Sequence, residues 1–189
     1  MNDIFTGKLV RLSAYDPEEM SKAYARWNRN SEYQRLLFGS PRGMLSTKAE
    51  LKWMEEEIGE MSPASYYFTI RTLVDDKLIG ELNLDVVNWN GRDAFVGIGI
   101  GEPENWGKGY GTDAMNILLR FAFGEINLHR VTLSVFEYNP RAIHSYERLG
   151  FHHEGCRRLA LNREGRRWNE LYMGILREEW LSYQKAEAE

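Results

Sequence analysis

The chain holds a single cysteine, Cys156, so it cannot close an internal disulfide. That scarcity suits a reducing compartment and points to a cytoplasmic protein. No stretch approaches the roughly 20 apolar residues that span a bilayer, and Met1 to Val10 lacks the apolar core of a signal peptide. Neither membrane insertion nor export is expected. An excess of one charge is missing too: 24 basic residues face 28 acidic ones, a net charge of -4. Nucleic-acid binding driven mainly by counterion release is not expected on that ground, whereas a small basic site for one phosphorylated ligand stays open. Repeats, linkers and low-complexity tracts are also absent. What is present is an apolar fraction of 43% over 189 residues, too high for a disordered chain and about right for one globular domain.

Residues 8–15 alternate apolar and polar side chains, as a half-buried strand does. Asp16-Pro17-Glu18 opens a helix, with Asp16 as N-cap and Pro17 in the first turn, expected to run to about Asn30. Residues 31–43 read as irregular. Ser46 or Thr47 caps a second helix with Leu51, Met54 and Ile58 on its apolar face, ending near Gly59. Residues 66–74, 77–87 and 94–101 read as a three-strand meander with turns at Asp75-Asp76 and at residues 88–93. A glycine-rich loop over 102–111 leads into a helix over 112–126, with Ala114, Ile117, Leu118, Phe121 and Ala122 as its buried stripe. A strand over 130–136 and a helix over 139–149 follow, the helix closed by Gly150 in the left-handed conformation. A hairpin over 151–161 and 168–176 and a helical tail over 177–185 complete an α+β domain with a mixed sheet.

Two oddities sit side by side. Phe95-Val96-Gly97-Ile98-Gly99-Ile100-Gly101 alternates glycine with larger residues in a strand, where glycine forfeits packing and costs entropy. A strand tolerates this where another backbone or a ligand approaches closely. Gly107, Gly109 and Gly111 then alternate just before a helix start. Such a loop turns successive amides one way and, with the helix dipole, cradles an anion. A ligand is therefore expected with a phosphate end at residues 107–112 and an extended tail along residues 98–100. A plain tight turn beside a bulged strand is the competing reading. A phosphate loop of the form G-x-x-x-x-G-K-[ST] fails, because Gly101 stands one residue too far from Gly107-Lys108 and Gly109 replaces Ser or Thr. The dinucleotide pattern G-x-G-x-x-G fails at Thr112.

Trp106-Gly107-Lys108-Gly109-Tyr110-Gly111 resembles the [QR]-x-x-G-x-[GA] core of motif A in the GNAT superfamily of acetyl-CoA-dependent N-acetyltransferases, with Trp106 where Gln or Arg is common. Asn139-Pro140-Arg141-Ala142-Ile143-His144-Ser145-Tyr146-Glu147-Arg148-Leu149-Gly150-Phe151 resembles its motif B, N-x-x-A-x-x-x-Y-x-x-x-G-F. The run WGKGYGT and residues 172–180 are similar to the branch that acetylates ribosomal-protein N-termini and, in relatives, polyamines (RimJ/RimL-like). The resemblance covers residues 8–180 as one domain, with 181–189 a tail. It implies the GNAT fold: a mixed, mostly antiparallel sheet flanked by helices, splayed between the strands at 94–101 and 130–136. It also implies acetyl-CoA as cosubstrate, with pantetheine along Ile98, Gly99 and Ile100 and pyrophosphate on Gly107, Lys108, Gly109, Tyr110, Gly111 and Thr112. A backbone amide near Ile100 would serve as oxyanion hole. Attack is direct, by a primary amine of a small molecule such as a polyamine, or of a protein N-terminus. By the same resemblance Tyr146 protonates the departing thiolate, a core tyrosine being the bland alternative, and Asn139 contacts the cofactor besides capping its helix.

Many relatives carry a Glu on the central strand in A-E-[IL]-G; here Phe95 replaces it in Ala94-Phe95-Val96-Gly97. Asp85 and Glu81 lie at even spacing on the adjacent strand, so they share a face. Asp85, nearer the turn, is taken as the stand-in base; a solvated acid, or proton loss to water alone, are the alternatives. A protein α-amine calls for a wide cleft facing residues 31–44, whereas a polyamine calls for an acidic pocket from Glu32, Glu55, Glu56, Glu57 and Asp85. Cys156 is expected as a small core residue. His129, His144, His152 and His153 do not show metal-ligand spacing, so no metal is expected. Arg157, Arg158, Arg163, Arg166 and Arg167 read as a solvated hairpin, with an acidic acceptor or the cofactor's 3′-phosphate as their alternative partner. A non-catalytic acyl-CoA sensor is the rival from another class. The oligomeric state stays open, a homodimer being one arrangement.

Overall fold

The computed structural model describes residues 3–59 and 62–188. Alternation makes β1 (Val10–Ala14), which buries Val10 and Leu12. Asp16 caps α1 (Pro17–Trp27), its carboxylate accepting the amides of Glu18 at 2.9 Å and Glu19 at 3.3 Å. Two of the donors that a helix start leaves open are thereby satisfied. Where irregular chain was expected, Asn30 caps a second helix, α2 (Ser31–Leu37), accepting the amides of Glu32 at 2.9 Å and Tyr33 at 3.1 Å. The residue taken for the end of one helix is the start of another. α3 (Thr47–Gly59) packs on α1 and buries Met54; the side chains of Glu57 and Ile58 lie outside the described residues.

The remaining strands are β2 (Ser65–Thr72), β3 (Leu78–Asn88), β4 (Asp93–Ile100), β5 (Arg130–Phe136), β6 (His152–Arg163) and β7 (Arg166–Leu176). They form one seven-stranded sheet in the order β1-β2-β3-β4-β5-β7-β6. Every neighbouring pair is antiparallel except β4 and β5. Those two share only the pairs Asp93–Arg130, Ala94–Val131 and Phe95–Thr132, so they part beyond Phe95. The mixed, mostly antiparallel sheet with a splayed cleft is as expected. The hairpin between β6 and β7 turns at Glu164-Gly165, with φ of 54° and 72°, the two-residue geometry that matches strand twist.

After β4 come a 3-10 turn at Pro103–Asn105 and the helices α4 (Tyr110–Arg120), which runs on into a π-turn at Phe121–Glu125, α5 (Pro140–Glu147), and α6 (Arg177–Ala188). Gly150 takes φ 89°, the left-handed stop expected after α5. α4 lays Ala114, Ile117 and Leu118 on one sheet face against Leu82, Leu84, Val96 and Val131. α1, α2 and α3 cover the other face with Met20, Tyr24, Trp27, Tyr33 and Met54. Each large apolar side chain buried contributes about 1.5–3 kcal/mol, so tertiary packing holds a helix as short as α2. In the first turn of α4, the Asp113 carboxylate accepts the amides of Lys8 at 3.1 Å, Leu9 at 2.7 Å and Val10 at 3.0 Å. It thus joins β1 to α4 across 103 to 105 residues of sequence.

Cys156 is exposed, not in the core. β6 is one of the sheet's two edge strands, and residues 152–159 are all exposed, so strand membership there does not imply burial. No helix among the described residues is long and apolar enough to cross a membrane.

Candidate active site

The glycines of β4 have a cause the sequence reading assigned elsewhere. Pairing with β3 is regular from Ala94 to Ile100, without a bulge. A Cβ on Gly97 would stand 2.5 Å from Asn83 Oδ1, and one on Gly99 would touch Leu37 and the Tyr33 hydroxyl at 3.4 to 3.5 Å. A Cβ on Gly101 would fall inside the Trp27 indole. The glycines make room for side chains of α1, α2 and β3, not for a ligand tail on that face.

The tail has the strand's edge instead. Gly101 donates its amide to the Ile79 carbonyl at 2.9 Å. Since backbone groups alternate sides along a strand, Gly97 and Gly99 also bond toward β3, and Ile98 and Ile100 face the gap left by β5. The Ile100 carbonyl is held by Trp106 Nε1 at 2.8 Å. The amide and carbonyl of Ile98 and the amide of Ile100 therefore line an edge on which an extended amide-bearing ligand can add as a strand does.

Gly107 and Gly109 take φ of 72° and 85°, a region that side chains bearing a Cβ avoid. Gly109 is the N-cap of α4 and offers no side chain to its amides. The Asp113 amide meets the Gly109 carbonyl at 2.9 Å, so the amides of Tyr110, Gly111 and Thr112 precede the helix's own ladder. They stand at the positive end of the dipole. The Thr112 and Ser145 hydroxyls, 2.7 Å apart, tie this turn to α5. Gly109→Val forces a β-branched residue into the left-handed region and, with Leu9 Cδ1 only 3.3 Å from the new Cβ, leaves it no slack. Calorimetry should show coenzyme A binding at least about tenfold weaker; unchanged affinity would remove the cradle from the binding site.

A cavity of about 440 Å³ lies between β4, β5, the start of α4 and α5, with α2 closing one end. Ile98, Gly99, Ile100, Gly107, Gly109, Tyr110, Gly111, Thr112, Asn139 and Tyr146 all line it; Lys108 and Asp85 do not. Asp85 instead accepts from Asn83 Nδ2 at 2.5 Å. Arg141, His144 and Ser145 of α5 and Arg148 at its C-cap line the wall as well, and Arg141 lies 4.3 Å over the Trp106 ring. These were missed, although they stand in the same motif as Tyr146. Tyr33, Leu36 and Leu37 were missed because α2 was. No Asp or Glu is among the described residues of the wall, so its charge favours an anion.

Asn139 Oδ1 accepts the Ala142 amide at 3.2 Å, the expected cap. Burial pushes the Tyr146 phenol up to about 12, so it keeps its proton at neutral pH, with its ring 5.9 Å from that of Phe151. The basic hairpin is largely spent elsewhere: Arg157 pairs with Glu170 at 2.6 Å, and Arg163 donates to the Phe38 carbonyl at 2.6 Å.

The profile of the acetyltransferase (GNAT) domain matches residues 10–152. Probable N-acetyltransferase YjcK of Bacillus subtilis is 36% identical over 94 residues, 49% of this chain and 51% of that protein. Spermidine N(1)-acetyltransferase of Vibrio cholerae is 40% identical over 88 residues, 45% of this chain and 50% of that one. The chain thus spans about half the length of these curated relatives. The solved spermidine N-acetyltransferase from Vibrio cholerae, in complex with CoA and spermine, superposes with a TM-score of 0.77 at 28% identity, covering 91% of this chain and 98% of that one.

Proposed function

Since this chain belongs to the acetyltransferase (GNAT) family, we propose that it moves an acetyl group from acetyl-CoA directly to a primary amine. One observation carries this reading: the open edge of β4, the first-turn amides of α4 and the Tyr146 phenol share one cavity. The residues fit the cosubstrate. The amides of Tyr110, Gly111 and Thr112 suit a pyrophosphate, Arg141 and Arg148 suit further phosphate charge, and Ile98 and Ile100 suit the amides of pantetheine. Acetyl-CoA, when bound, supplies the acetyl group as an activated thioester. Tyr146 gives its proton to the departing sulfur, and the Ile100 amide faces the side where carbonyl charge develops. The protein works in the cytoplasm, where Cys156 stays reduced.

The acceptor end of the cavity is walled by Tyr33, Leu36, Leu37 and Phe95. Glu32, Glu55, Glu56 and Asp85 do not line it, so a polyamine would leave several ammonium groups unpaired on an apolar wall. An α-amine carries one charge, with a pKa of about 8. The wall therefore favours a protein or peptide N-terminus; the spermidine-named relatives favour polyamines as second reading. Thiol release from acetyl-CoA discriminates, measured with a peptide bearing a free N-terminus, its N-formyl control, spermidine and an aminoglycoside. The free peptide should exceed spermidine by at least about tenfold in kcat/KM. The reverse order assigns the cavity to polyamines, and silence with every amine leaves the acyl-CoA sensor.

A further inference from the structure

Glu81, Tyr24 and Tyr33, from three elements, lie on the sheet face opposite α4, with Glu81 beside Gly99 in the sheet and the Tyr33 hydroxyl over it. Glu81 of β3 is the register partner of Gly99, so its side chain leaves the sheet on the face where Gly99 has none. Glu81 itself stands behind the residues that line the cavity, and no β4 side chain separates it from the wall at Gly99. Tyr24, buried on α1, donates its hydroxyl to Glu81 Oε1. Tyr33, buried on α2, has a hydroxyl with no hydrogen-bond partner among the described residues. That hydroxyl lies 3.5 Å from where a Gly99 Cβ would stand, and both residues line the cavity. A buried hydroxyl left unpaired is costly unless a ligand satisfies it. The partner it awaits is a hydrogen-bonding group placed over Gly99.

We propose that Glu81, held by Tyr24, is the base that takes the acceptor amine's proton, and that the Tyr33 hydroxyl holds the amine nitrogen over Gly99. This rests on the acetyl-transfer reading given above. The ammonium gives one proton to the Glu81 carboxylate. The freed nitrogen lone pair forms the bond to the thioester carbonyl carbon. The C–S bond then breaks, and its electron pair leaves on sulfur. Tyr146 protonates that sulfur and recovers a proton from the nitrogen, which keeps its third as the amide N–H. Glu81 is partly exposed, so it passes its proton to solvent, one per turnover.

The groups around Glu81 leave it unpaired with any cation. From α1 comes Tyr24, while Glu19 of the same helix is bound to Arg71 of β2. Thr69 stands opposite on β2, with Tyr67 and Arg71 at the neighbouring same-face positions. α2 presents Tyr33, β4 presents glycine, and Asp85 lies four residues along β3. Arg42 is held by Glu50 at 2.7 Å. Among the described residues Glu81 forms no ion pair. Burial accordingly pushes its carboxyl up to about 8, near an α-amine's own value of about 8, where a general base works best.

Glu81→Gln keeps an acceptor for Tyr24 and the side chain's shape. With acetyl-CoA and a peptide α-amine, wild type should gain activity as pH rises through roughly 7 to 9. The Gln variant should lose at least about 100-fold in kcat/KM and keep only the rise set by the amine's own ionisation near about 8, with coenzyme A affinity unchanged. A raised carboxyl pKa stabilises the fold fully below its unfolded value, and that stability is lost as pH rises through its folded value. The Gln variant should therefore melt no lower than wild type at pH ~8, so inactivity is not unfolding. Glu81→Asp should retain the limb at a reduced rate. Tyr24→Phe should move the limb to higher pH, and Tyr33→Phe should raise the amine's KM and leave the limb in place. A Gln variant with wild-type rate and limb overturns the proposal and leaves acetyl transfer standing. A wild type silent with every amine overturns both.

Discussion

Tyr146→Phe should lower kcat by about 10²- to 10⁴-fold and leave coenzyme A affinity within about twofold. The ring stays, with its packing on Phe151, and only the proton donor goes. Burial holds the phenol near 12, well above a free thiol at about 8.5, which taken alone makes proton transfer to sulfur uphill. The same burial disfavours a thiolate in the cavity as much as a phenolate, because both are anions leaving water. The two affinities therefore rise together, and the proton moves as the C–S bond breaks. Steady-state rates, with calorimetry for binding, check this; near wild-type turnover would return Tyr146 to the core. The phenol's value also settles a sign. Tyr146 stays protonated across the working range, so an activity limb near pH ~8 belongs to another group.

Gly101→Ala should cost about 2–3 kcal/mol of stability, a fall in Tm of roughly 5–10 °C. The added methyl overlaps Trp27, which is 1% exposed and fixed between Tyr24 and Tyr33 at ring distances of 5.7 and 5.9 Å. A rigid indole among packed neighbours has no direction in which to yield. Adding Trp27→Phe should recover part of the loss, because the two changes share one contact and are coupled. Thermal melts of the single and double variants decide; additive losses would mean that the indole is not the obstacle. Activity should fall in the single variant too, since Trp27 buttresses both tyrosines that meet Glu81 and Gly99.

Local rules carried far in this chain. The glycine loop before α4, the Asn139 cap, the Gly150 stop and the parting of β4 from β5 depend on neighbours in sequence or on a motif pair, and these features stand where the residues implied. What failed was tertiary. Gly97, Gly99 and Gly101 look like a path for a ligand until Asn83, Tyr33 and Trp27 are seen above them. Periodicity put Glu81 and Asp85 on one face but said nothing of depth. Glu81 lies beneath α1 with a tyrosine on its carboxylate and Asp85 is bound to Asn83, and neither of them lines the cavity. α2 went unread because its seven residues are too few for a period, and its cap resembled an ending. Cys156 was misplaced because alternation presumes a covered face, which β6 lacks over residues 152–159 although the other edge strand, β1, has one.

Asp113 reaches back across 103 to 105 residues to hold the amides of Lys8, Leu9 and Val10. During synthesis, the earliest strand must therefore wait for β2 and then for α4 before it has both its neighbours, so it finds its place late on the ribosome. The cradle's helix is in this sense the clasp that closes the segment from Lys8 to Asp113, and a lesion at Asp113 would be felt first as slow maturation rather than as a weaker catalyst.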